Sequence, residues 1–467
     1  MRTAAALVAL LAVVSSPVPQ PRHTAVLNNH FAPGDDRYQY VAFEVSPDAE
    51  SLTISYSYTG DDGSSVLDLG LFEPGPLTPG TPAFRGYSGG AQRSITVGRR
   101  GASSGYKAGP LPSGTWHVML GLYKVAPTGV DVRLIVTESR EEAAQSRTDS
   151  AARATPPAAS TSPGWYSGGL HLHTTHSDGS IGPAAVAEAA RAAGLDFIVI
   201  TDHNNTTHTR ETMPAAPLHI VGEEVTTPGG HASVWGLPEG AWIDFRVSPK
   251  DPGAAGAINE LVAQAHRAGG LFSINHPFGE CGACSWEQAI PTSLDGLEIW
   301  NGEKGPQDRA IAVWDRLLRE GRRVTAVGAS DWHRMPSPIG AAAVRVFASQ
   351  LTGPAILEGI RQHRVIVMRD ALTPPPAVRA RCGAQDAGVG DSLTCAAGEE
   401  LAVRVSMPNL PDASADFIWN AARMTSKRIG RGTTFTMPAA TGYLRVHVYA
   451  ADGRTVAITN PVYVATR

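Results

Sequence analysis

The sequence predicts a multidomain protein in which a central α/β domain lies between two β-rich segments. The chain has 467 residues, which is more than one hydrophobic core usually holds. In its middle, short apolar strands alternate with helical runs, as expected for a parallel sheet. The residues before that stretch alternate apolar and polar side chains with turns between them, and the residues after it return to strand-like patterns.

Residues 1–22 are a predicted signal peptide. Arg2 precedes the apolar run Ala4–Val14, and small residues and prolines follow. This run is too short to cross a bilayer, and no later stretch is long and apolar enough. We therefore expect a secreted, extracytoplasmic protein without a membrane span. The net charge of -4 also argues against specific nucleic-acid binding, which needs clustered basic residues.

Residues 24–138 are predicted to form a β-sandwich or jelly roll. The segments "QYVAFEV", "SLTISYSY", "TWHVMLGLY" and "VDVRLIV" are typical of strands, and "GDDGS" and "LPSG" are typical of turns. No cluster of chemically active side chains is evident in this segment. Residues 139–164 are polar and then rich in Ala, Pro and Ser, which predicts a linker.

Residues 165–372 are predicted to form the α/β domain. The strands "GLHLHT", "DFIVITDHN", "LFSINHPF" and "VTAVGASDWH" alternate with helices. The first helix, "GPAAVAEAARAAG", has Pro183 near its first turn and Gly194 at its end. Residues 374–467, with "LAVRVSM" and "YLRVHVYA", predict a small, immunoglobulin-like β-sandwich.

The chain has four cysteines. Closeness in sequence favours the pairs Cys281–Cys284 and Cys382–Cys395, as structural disulfides in an oxidising compartment. A redox pair at Cys281 and Cys284, or a zinc site made from all four cysteines, stays open as an alternative.

The histidines give the strongest chemical signal. Eleven of the 15 histidines lie in the α/β segment. Five of them fall where a predicted strand ends: His171, His173, His203, His276 and His333. In an α/β barrel the carboxyl ends of the strands carry the chemistry, so these imidazoles are expected to converge in one pocket.

The types of side chain at these positions favour a transition metal. His171 and His173 are two apart on a strand, so both side chains face the same way. Carboxylates accompany the imidazoles, since Asp178, Glu224 and Asp331 occur in the same motifs. Imidazole with carboxylate suits Zn, Mn or Fe rather than an all-oxygen calcium site.

The motifs "HLHTTHSDG", "TDHN", "GEEV", "HAS", "NHPFG" and "SDWH" resemble those of the polymerase-and-histidinol-phosphatase (PHP) family of metal-dependent phosphoesterases. The resemblance covers residues 165 to about 370. The spacing and the flanking β-domains are more similar to the exported, carbaryl-hydrolase-like metallohydrolase branch. The resemblance implies a distorted (β/α)7 barrel that binds two to three divalent ions, Mn, Zn or Fe.

The resemblance also implies a set of ligands for each ion. The first ion would be held by His171, His173, Glu224 and Asp331. Glu224 would bridge to a second ion, held also by His231 and His276. The third ion would be held by Asp178, His203 and His333. Glu224 is preferred to Glu223 because the family glutamate precedes an aliphatic residue, here Val225; Glu223 is then expected to pair with a cation or to face solvent.

The implied reaction is hydrolysis of a phosphoester by a hydroxide shared between two ions. The catalytic candidates are Asp331 as proton acceptor, Glu224 as bridge and Arg334 as phosphate clamp. Asn301 and Lys304 are weaker candidates for substrate contacts. His176 has no ligand position in the motif and is expected to be a substrate contact or a loop residue.

Two other functions stay open. The same metal site could hydrolyse a carboxylic ester or a carbamate, and the chain could be a non-catalytic cell-surface binding protein. In either hydrolase the partner would be a small-molecule phosphoester or ester. No G-x-S-x-G nucleophile motif before a helix and no phosphate-binding G-x-x-x-x-G-K-[ST] loop is found.

Overall fold

A computed structural model describes residues 23–141, 143, 160–280 and 284–467. The predicted signal peptide, residues 1–22, and most of the predicted linker lie outside the described residues. Among the described residues, no helix has the length and the apolar character that crossing a membrane requires.

The N-terminal segment is a β-sandwich, as the alternating pattern predicts. Its strands are β1 (His23–Phe31), β2 (Tyr38–Val45), β3 (Ser51–Tyr58), β4 (Val66–Phe72), β5 (Phe84–Gly89), β6 (Ser94–Gly98), β7 (Gly114–Lys124) and β8 (Val130–Ser139). They form two antiparallel four-stranded sheets in the orders β1-β8-β3-β6 and β2-β7-β4-β5. Alternate residues of β8 are buried, and they pack on Leu52, Ile54 and Trp116 between the sheets.

The central segment alternates strands and helices. Its elements are β9 (Gly164–Leu172), α1 (Pro183–Ala192), β10 (Phe197–Ile200), β11 (Leu218–Thr227), β12 (Gly230–Trp235), α2 (Ala254–Arg267), β13 (Leu271–Ile274), β14 (Gly296–Asn301), α3 (Asp308–Arg319), β15 (Thr325–Ala329), β16 (Val344–Ala348), α4 (Gly353–Arg361) and β17 (Val365–Met368). As predicted, α1 begins at Pro183, and Gly194 follows its end with φ of 84°. In α3 the buried side chains Ala310, Trp314 and Leu317 recur at helical spacing, so one face of this helix packs on the sheet.

The sheet departs from the predicted (β/α)7 barrel. Its strands are ordered β15-β14-β13-β12-β11-β10-β9-β16-β17. β9, β10 and β11 are parallel, as are β13, β14 and β15, but β12 and β16 are antiparallel to both neighbours. Only Pro228 and Gly229 separate β11 from β12. A connection this short can join only antiparallel strands, because a parallel crossover needs a dozen or more residues. The sheet therefore lacks the all-parallel strand order of a (β/α)7 barrel. Leu172, at the end of β9, and Trp332, just beyond β15, nevertheless form a parallel bridge.

The C-terminal segment is built from two β-layers. Its strands are β18 (Ala377–Cys382), β19 (Gln385–Ala387), β20 (Ser392–Cys395), β21 (Glu400–Ser406), β22 (Ser414–Trp419), β23 (Ala422–Arg428), β24 (Thr433–Pro438), β25 (Gly442–Tyr449), β26 (Thr455–Thr459) and β27 (Val462–Thr466). One layer has the order β19-β18-β21-β24. In the other, β26 pairs with β17, so the central sheet continues through β26-β25-β22-β23. The predicted disulfide Cys382–Cys395 is present.

Candidate metal centre

The predicted metal-binding residues come together at one end of the central strands. His171 lies in β9, and Glu224 lies in β11. His203, His276 and Asp331 lie two or three residues beyond the ends of β10, β13 and β15. Because the carboxyl ends of parallel strands lie at the same edge, side chains distant in sequence meet there. His173, His231 and His333 join them, and Asp178 approaches from the loop after β9.

An inner group consists of His171, His173, Glu224 and Asp331. His171 Nε2 lies 3.1 Å from Glu224 Oε1 and 3.2 Å from Asp331 Oδ1. His173 Nε2 lies 3.2 Å from Asp331 Oδ1 and 3.5 Å from Glu224 Oε2. These four side chains are the set that the resemblance to the PHP motifs implies for the first ion.

Glu224 lies at the middle of the cluster. Its Oε1 is 3.3 Å from His231 Nδ1 and 3.3 Å from His276 Nε2, and its Oε2 is 2.8 Å from His203 Nδ1. The carboxylate is fully buried and can serve two ions through its two oxygens. The donor groups around Glu224 combine His276 with His171, and His231 with His203. This grouping differs from the expected one, in which His231 and His276 share an ion without those two partners.

An outer group consists of Asp178, His203 and His333. Asp178 Oδ1 lies 3.2 Å from His333 Nε2, 3.7 Å from His203 Nε2 and 3.8 Å from His173 Nδ1. The outer side chains are partly open to solvent, with exposures of 44% for Asp178, 21% for His203 and 24% for His333. His171 and His173, in contrast, are at most 1% exposed.

The donor atoms fit divalent cations. Several buried ring nitrogens have no hydrogen-bond partner among the described residues, including His171 Nε2, His173 Nε2 and both nitrogens of His231. Glu224 Oε2 likewise forms no hydrogen bond of good geometry, and its contact with His203 Nδ1 is an ion pair. An unsatisfied buried polar atom costs about 1–3 kcal/mol, so several in one place indicate that the atoms face a shared cation rather than one another. Imidazole and carboxylate ligands suit Zn, Mn or Fe.

Burial and charge within the cluster shift the pKa values of its side chains in both directions. Burial alone would raise the pKa values of Glu224 and Asp331, but the surrounding imidazoles hold both well below the ordinary range. Burial, followed by His333 and His203, lowers the pKa of His173 to about 4. Burial would also lower the pKa of His203, but the nearby carboxylates raise it to about 9. At neutral pH both carboxylates are therefore ionised and His173 is neutral.

The backbone is strained beside the ligands. Asn204, His276 and Asp331 have positive φ values of 47°, 21° and 49°. Such conformations cost non-glycine residues about 1–3 kcal/mol, and they persist where the surroundings enforce them. The strain falls on two predicted ligands and on the residue after a third, which is a pattern typical of functional sites.

Sequence reasoning missed the groups that orient the ligands. Glu298 in β14 lies 3.2 Å from His171 Nδ1 through its Oε2. Its Oε1 accepts hydrogen bonds from Asn301 Nδ2 at 2.6 Å and from the backbone N–H of His276 at 3.3 Å. A carboxylate behind a histidine fixes the ring so that its other nitrogen faces the metal. The signal was the single carboxylate in the buried strand "GLEIWN". Asn275 orients a ligand in a similar way, because its Nδ2 donates a hydrogen bond to Glu224 Oε1 at 2.8 Å.

The neighbouring glutamate is not where the sequence placed it. Glu223 was expected to pair with a cation or to face solvent, and this is wrong. It is fully buried, and its Oε2 accepts the backbone N–H of Ile243 at 2.9 Å. Burial raises the pKa of Glu223 well above the ordinary value. Because successive residues of a strand face opposite sides, Glu223 points away from the cluster that Glu224 enters.

The remaining residues predicted from the sequence are partly exposed and partly buried. Arg334 and Lys304 are exposed. Asn301 lies within the cluster, with Nδ2 3.3 Å from Asp331 Oδ2. His176 is a buried loop residue whose Nε2 lies 2.8 Å from Glu211 Oε1. Cys284 is buried and disulfide-bonded, and its predicted partner Cys281 lies outside the described residues.

Comparisons with known proteins give weak likenesses. No protein-family model and no curated protein matches the chain. A solved two-domain protein from Bacteroides vulgatus, containing a predicted PHP-like metal-dependent phosphoesterase, aligns with 68% of this chain and 100% of its own, at 17% identity and a TM-score of 0.36. A putative metal-dependent phosphoesterase from Bifidobacterium adolescentis aligns with 42% of this chain and 96% of its own, at 17% identity and a TM-score of 0.28. An amidohydrolase from Chromobacterium violaceum aligns with 37% of this chain and 89% of its own, at 16% identity and a TM-score of 0.24. Because these TM-scores are low, the likenesses carry no argument about this chain.

Proposed function

We propose that this protein is a metal-dependent hydrolase of the PHP type that cleaves phosphoesters with two to three divalent cations. The observation that carries the proposal is the position of Glu224. Its buried carboxylate lies within 3.5 Å of five imidazoles: His171, His173, His203, His231 and His276. A structural role does not call for so many imidazoles around one carboxylate, whereas a polynuclear metal site does.

The residues divide the work as follows. One ion would be held by His171, His173, Glu224 and Asp331. Glu224 would also contribute to a second ion, together with the remaining imidazoles near its carboxylate. Divalent cations bound here would supply Lewis acidity, lowering the pKa of water and polarising the ester. Asp331 lies at the cluster in its ionised form, 3.2 Å from both His171 Nε2 and His173 Nε2, so it would orient the attacking water by accepting a hydrogen bond from it. Asn301 Nδ2 lies beside Asp331 Oδ2 and holds that carboxylate in place.

The test compares two adjacent glutamates. Wild type, Glu224→Gln and Glu223→Gln would be purified without chelator and analysed for bound metals. Each would be assayed with p-nitrophenyl phosphate, bis-p-nitrophenyl phosphate and p-nitrophenyl acetate. We expect two to three ions per chain in wild type, and a loss of metal with an activity drop of at least about 100-fold in Glu224→Gln. Glu223→Gln is the matched control, because it is buried on the same strand outside the cluster, and it should retain both.

Other outcomes would change the proposal. If wild type binds metal but hydrolyses only p-nitrophenyl acetate, the proposed activity would change from phosphoesterase to carboxylic ester or carbamate hydrolase. Absence of metal and of turnover in wild type would contradict the hydrolase and favour a binding protein.

We further propose that the protein is exported. The apolar run Ala4–Val14 supports this, and so does the Cys382–Cys395 disulfide, since such bonds persist in oxidising compartments. Cell fractionation with mass spectrometry of the N-terminus would test it: cytosolic protein that retains residues 1–22 would contradict export.

A further inference from the structure

The outer group depends on loops, whereas the inner group depends on strands. His171 and Glu224 lie within β9 and β11, which β10 joins in a hydrogen-bonded ladder. Asp178, His203 and His333 all lie beyond strand ends. Contacts within the central domain hold part of these loops, since His203 forms a parallel bridge with Glu224 and the Ser180 N–H donates to the His333 backbone oxygen. Two of the loops make further contacts outside the central domain.

The first contact fastens the loop after His203 to the N-terminal sandwich. Asn205 is buried, and its Nδ2 donates to the backbone oxygen of Tyr87 at 2.6 Å and to that of Gly105 at 2.9 Å. Its Oδ1 accepts the backbone N–H of Thr207 at 2.7 Å. One side chain therefore joins the His203 loop to β5 and to the segment that follows β6.

The second contact fastens the loop that carries Asp178. His176 lies between His173 and Asp178, and its Nδ1 accepts the backbone N–H of Gly105 at 3.2 Å. The Nε2 side of the ring is occupied by Glu211. Both loops therefore meet the sandwich at the same residue, Gly105.

Gly105 permits this close approach. Its φ is 88°, in the region that favours glycine. A Cβ atom here would lie 2.7 Å from the Tyr87 backbone oxygen and 3.1 Å from both Asn205 Nδ2 and the His176 backbone oxygen. A side chain here would therefore crowd the Tyr87 backbone within the sandwich and also both loops that dock on it.

We propose that the N-terminal β-sandwich positions the outer group, so that docking of Gly105 against His176 and Asn205 determines whether a third divalent cation is held by Asp178, His203 and His333. This inference rests on the proposed function. Gly105, His176 and Asn205 are positioning residues, since none of them belongs to the groups of side chains that could hold a metal ion. The sandwich thus supports the geometry of the metal centre and is not a separable binding module.

The test counts and titrates metal in the full-length chain. Asn205→Asp keeps the shape of the side chain and the acceptor for Thr207 but removes both donors to the sandwich. Gly105→Ala adds the obstructing Cβ. Gly63→Ala is the matched control, because Gly63 also has a positive φ, 96°, but a Cβ there would meet nothing within 4 Å. Asp178→Asn reports the loss of the outer ion itself.

We expect three ions per chain in wild type and Gly63→Ala. In calorimetric titration, Asn205→Asp and Gly105→Ala should each lower the affinity for the last-bound ion about 10- to 100-fold. Both variants should still bind the other two ions, and so should Asp178→Asn. The double variant Asn205→Asp/Asp178→Asn should lose no further ion. Circular dichroism would confirm folding, and His176→Ala offers a third probe of the same contact if either variant fails to fold.

The other possible results would contradict either this inference alone or the proposed function as well. Unchanged affinity for all three ions in folded Asn205→Asp and Gly105→Ala would overturn this inference alone. An equal metal count in wild type and Asp178→Asn would also overturn it and leave the hydrolase standing. A wild-type chain without metal would overturn the proposed function, and this inference with it.

Discussion

The two flanking β-segments are attached to the central segment in different ways. The C-terminal segment extends the central sheet, since β26 pairs with β17 from Ile366 to Met368. Its core also includes Ile366 and Met368 of β17. The N-terminal sandwich shares no strand ladder with the central sheet among the described residues. It is held by side-chain contacts, because Phe72, Phe84, Tyr87 and Met119 are part of the hydrophobic core of the central segment.

The C-terminal attachment is buried and charged. Arg445 Nε and Nη2 donate to Asp315 Oδ1 and Oδ2 at 3.0 and 2.7 Å, and Tyr443 adds a hydrogen bond at 2.9 Å. Both charged side chains are below 10% exposure. Asn460 adds three hydrogen bonds to the backbone of Ala326 and Val365. These contacts lie away from the metal ligands, so they support the fold and not the site.

The N-terminal attachment is aromatic and polar. Tyr87 packs on Phe245, with ring centroids 4.9 Å apart, and Phe84 packs on Trp242 at 5.0 Å. Arg246 Nη1 donates to the hydroxyl of Tyr40 at 2.8 Å. One flanking segment is thus joined by a strand ladder, and the other by side-chain packing and hydrogen bonds, some of which reach the ligand loops.

The largest effect is expected from breaking the C-terminal ion pair. Arg445→Ala leaves Asp315 buried without its cation, and removing one partner of such a pair costs about 3–5 kcal/mol. Urea denaturation should show this loss in the free energy of unfolding. Arg428→Ala, at an exposed pair with Asp412, is the control and should change it by less than about 1 kcal/mol. Equal effects of the two variants would contradict the distinction drawn between buried and exposed contacts.

A smaller effect is expected at the N-terminal attachment. Arg246→Ala removes the hydrogen bonds to Tyr40 and to the backbone oxygen of Leu77, while Asp244 remains partly open to water. The free energy of unfolding should fall by about 2 kcal/mol, because each of the two lost hydrogen bonds usually contributes about 1 kcal/mol. The same urea titration measures it. A loss as large as that of Arg445→Ala would show that the two attachments are equivalent, contrary to the comparison above.

The smallest effect concerns pH and the C-terminal segment. Burial, followed by Arg445, lowers the pKa of His447 from 6.5 to about 4. The unfolded chain therefore takes up a proton near pH 6.5 and the folded chain does so only near pH 4. The contribution of His447 is fully present above pH 6.5 and is lost as the pH falls towards 4.

His447→Gln should accordingly lose less stability than wild type between pH 7 and 5.5. The difference should be about 1 kcal/mol or less, since water reaches part of the ring. Urea titrations at both pH values measure it, and a steeper loss in the variant would mean that the sign is wrong.

Much of the candidate site could be predicted because its signals are local. H-x-H on a strand puts His171 and His173 on one face whatever the rest of the chain does, and the strand-end positions of His203 and His276 follow from apolar runs. The glutamate pair was harder. Alternation showed that Glu223 and Glu224 face opposite sides, but it did not show that the far side is the core, where Glu223 lies buried under Ile243.

The errors come from long-range pairing. A two-residue connection between β11 and β12 forces a hairpin, and the sequence "TTPGGH" contains that turn, but the expected distorted (β/α)7 barrel did not include it. Glu298 was missed because a single carboxylate in an apolar strand has no periodic signal. Its meaning depends on His171, which is 127 positions away.

The identity of the metal-binding side chains and their positions at strand ends can be read from the amino-acid sequence, because apolar periodicity and residue chemistry are properties of short segments. The grouping of the donors around Glu224, the pairing of β17 with β26 and the contacts of Gly105 with His176 and Asn205 appear only in the folded chain. These are contacts between residues far apart in the chain. They depend on how the elements pack, and no local pattern encodes that packing.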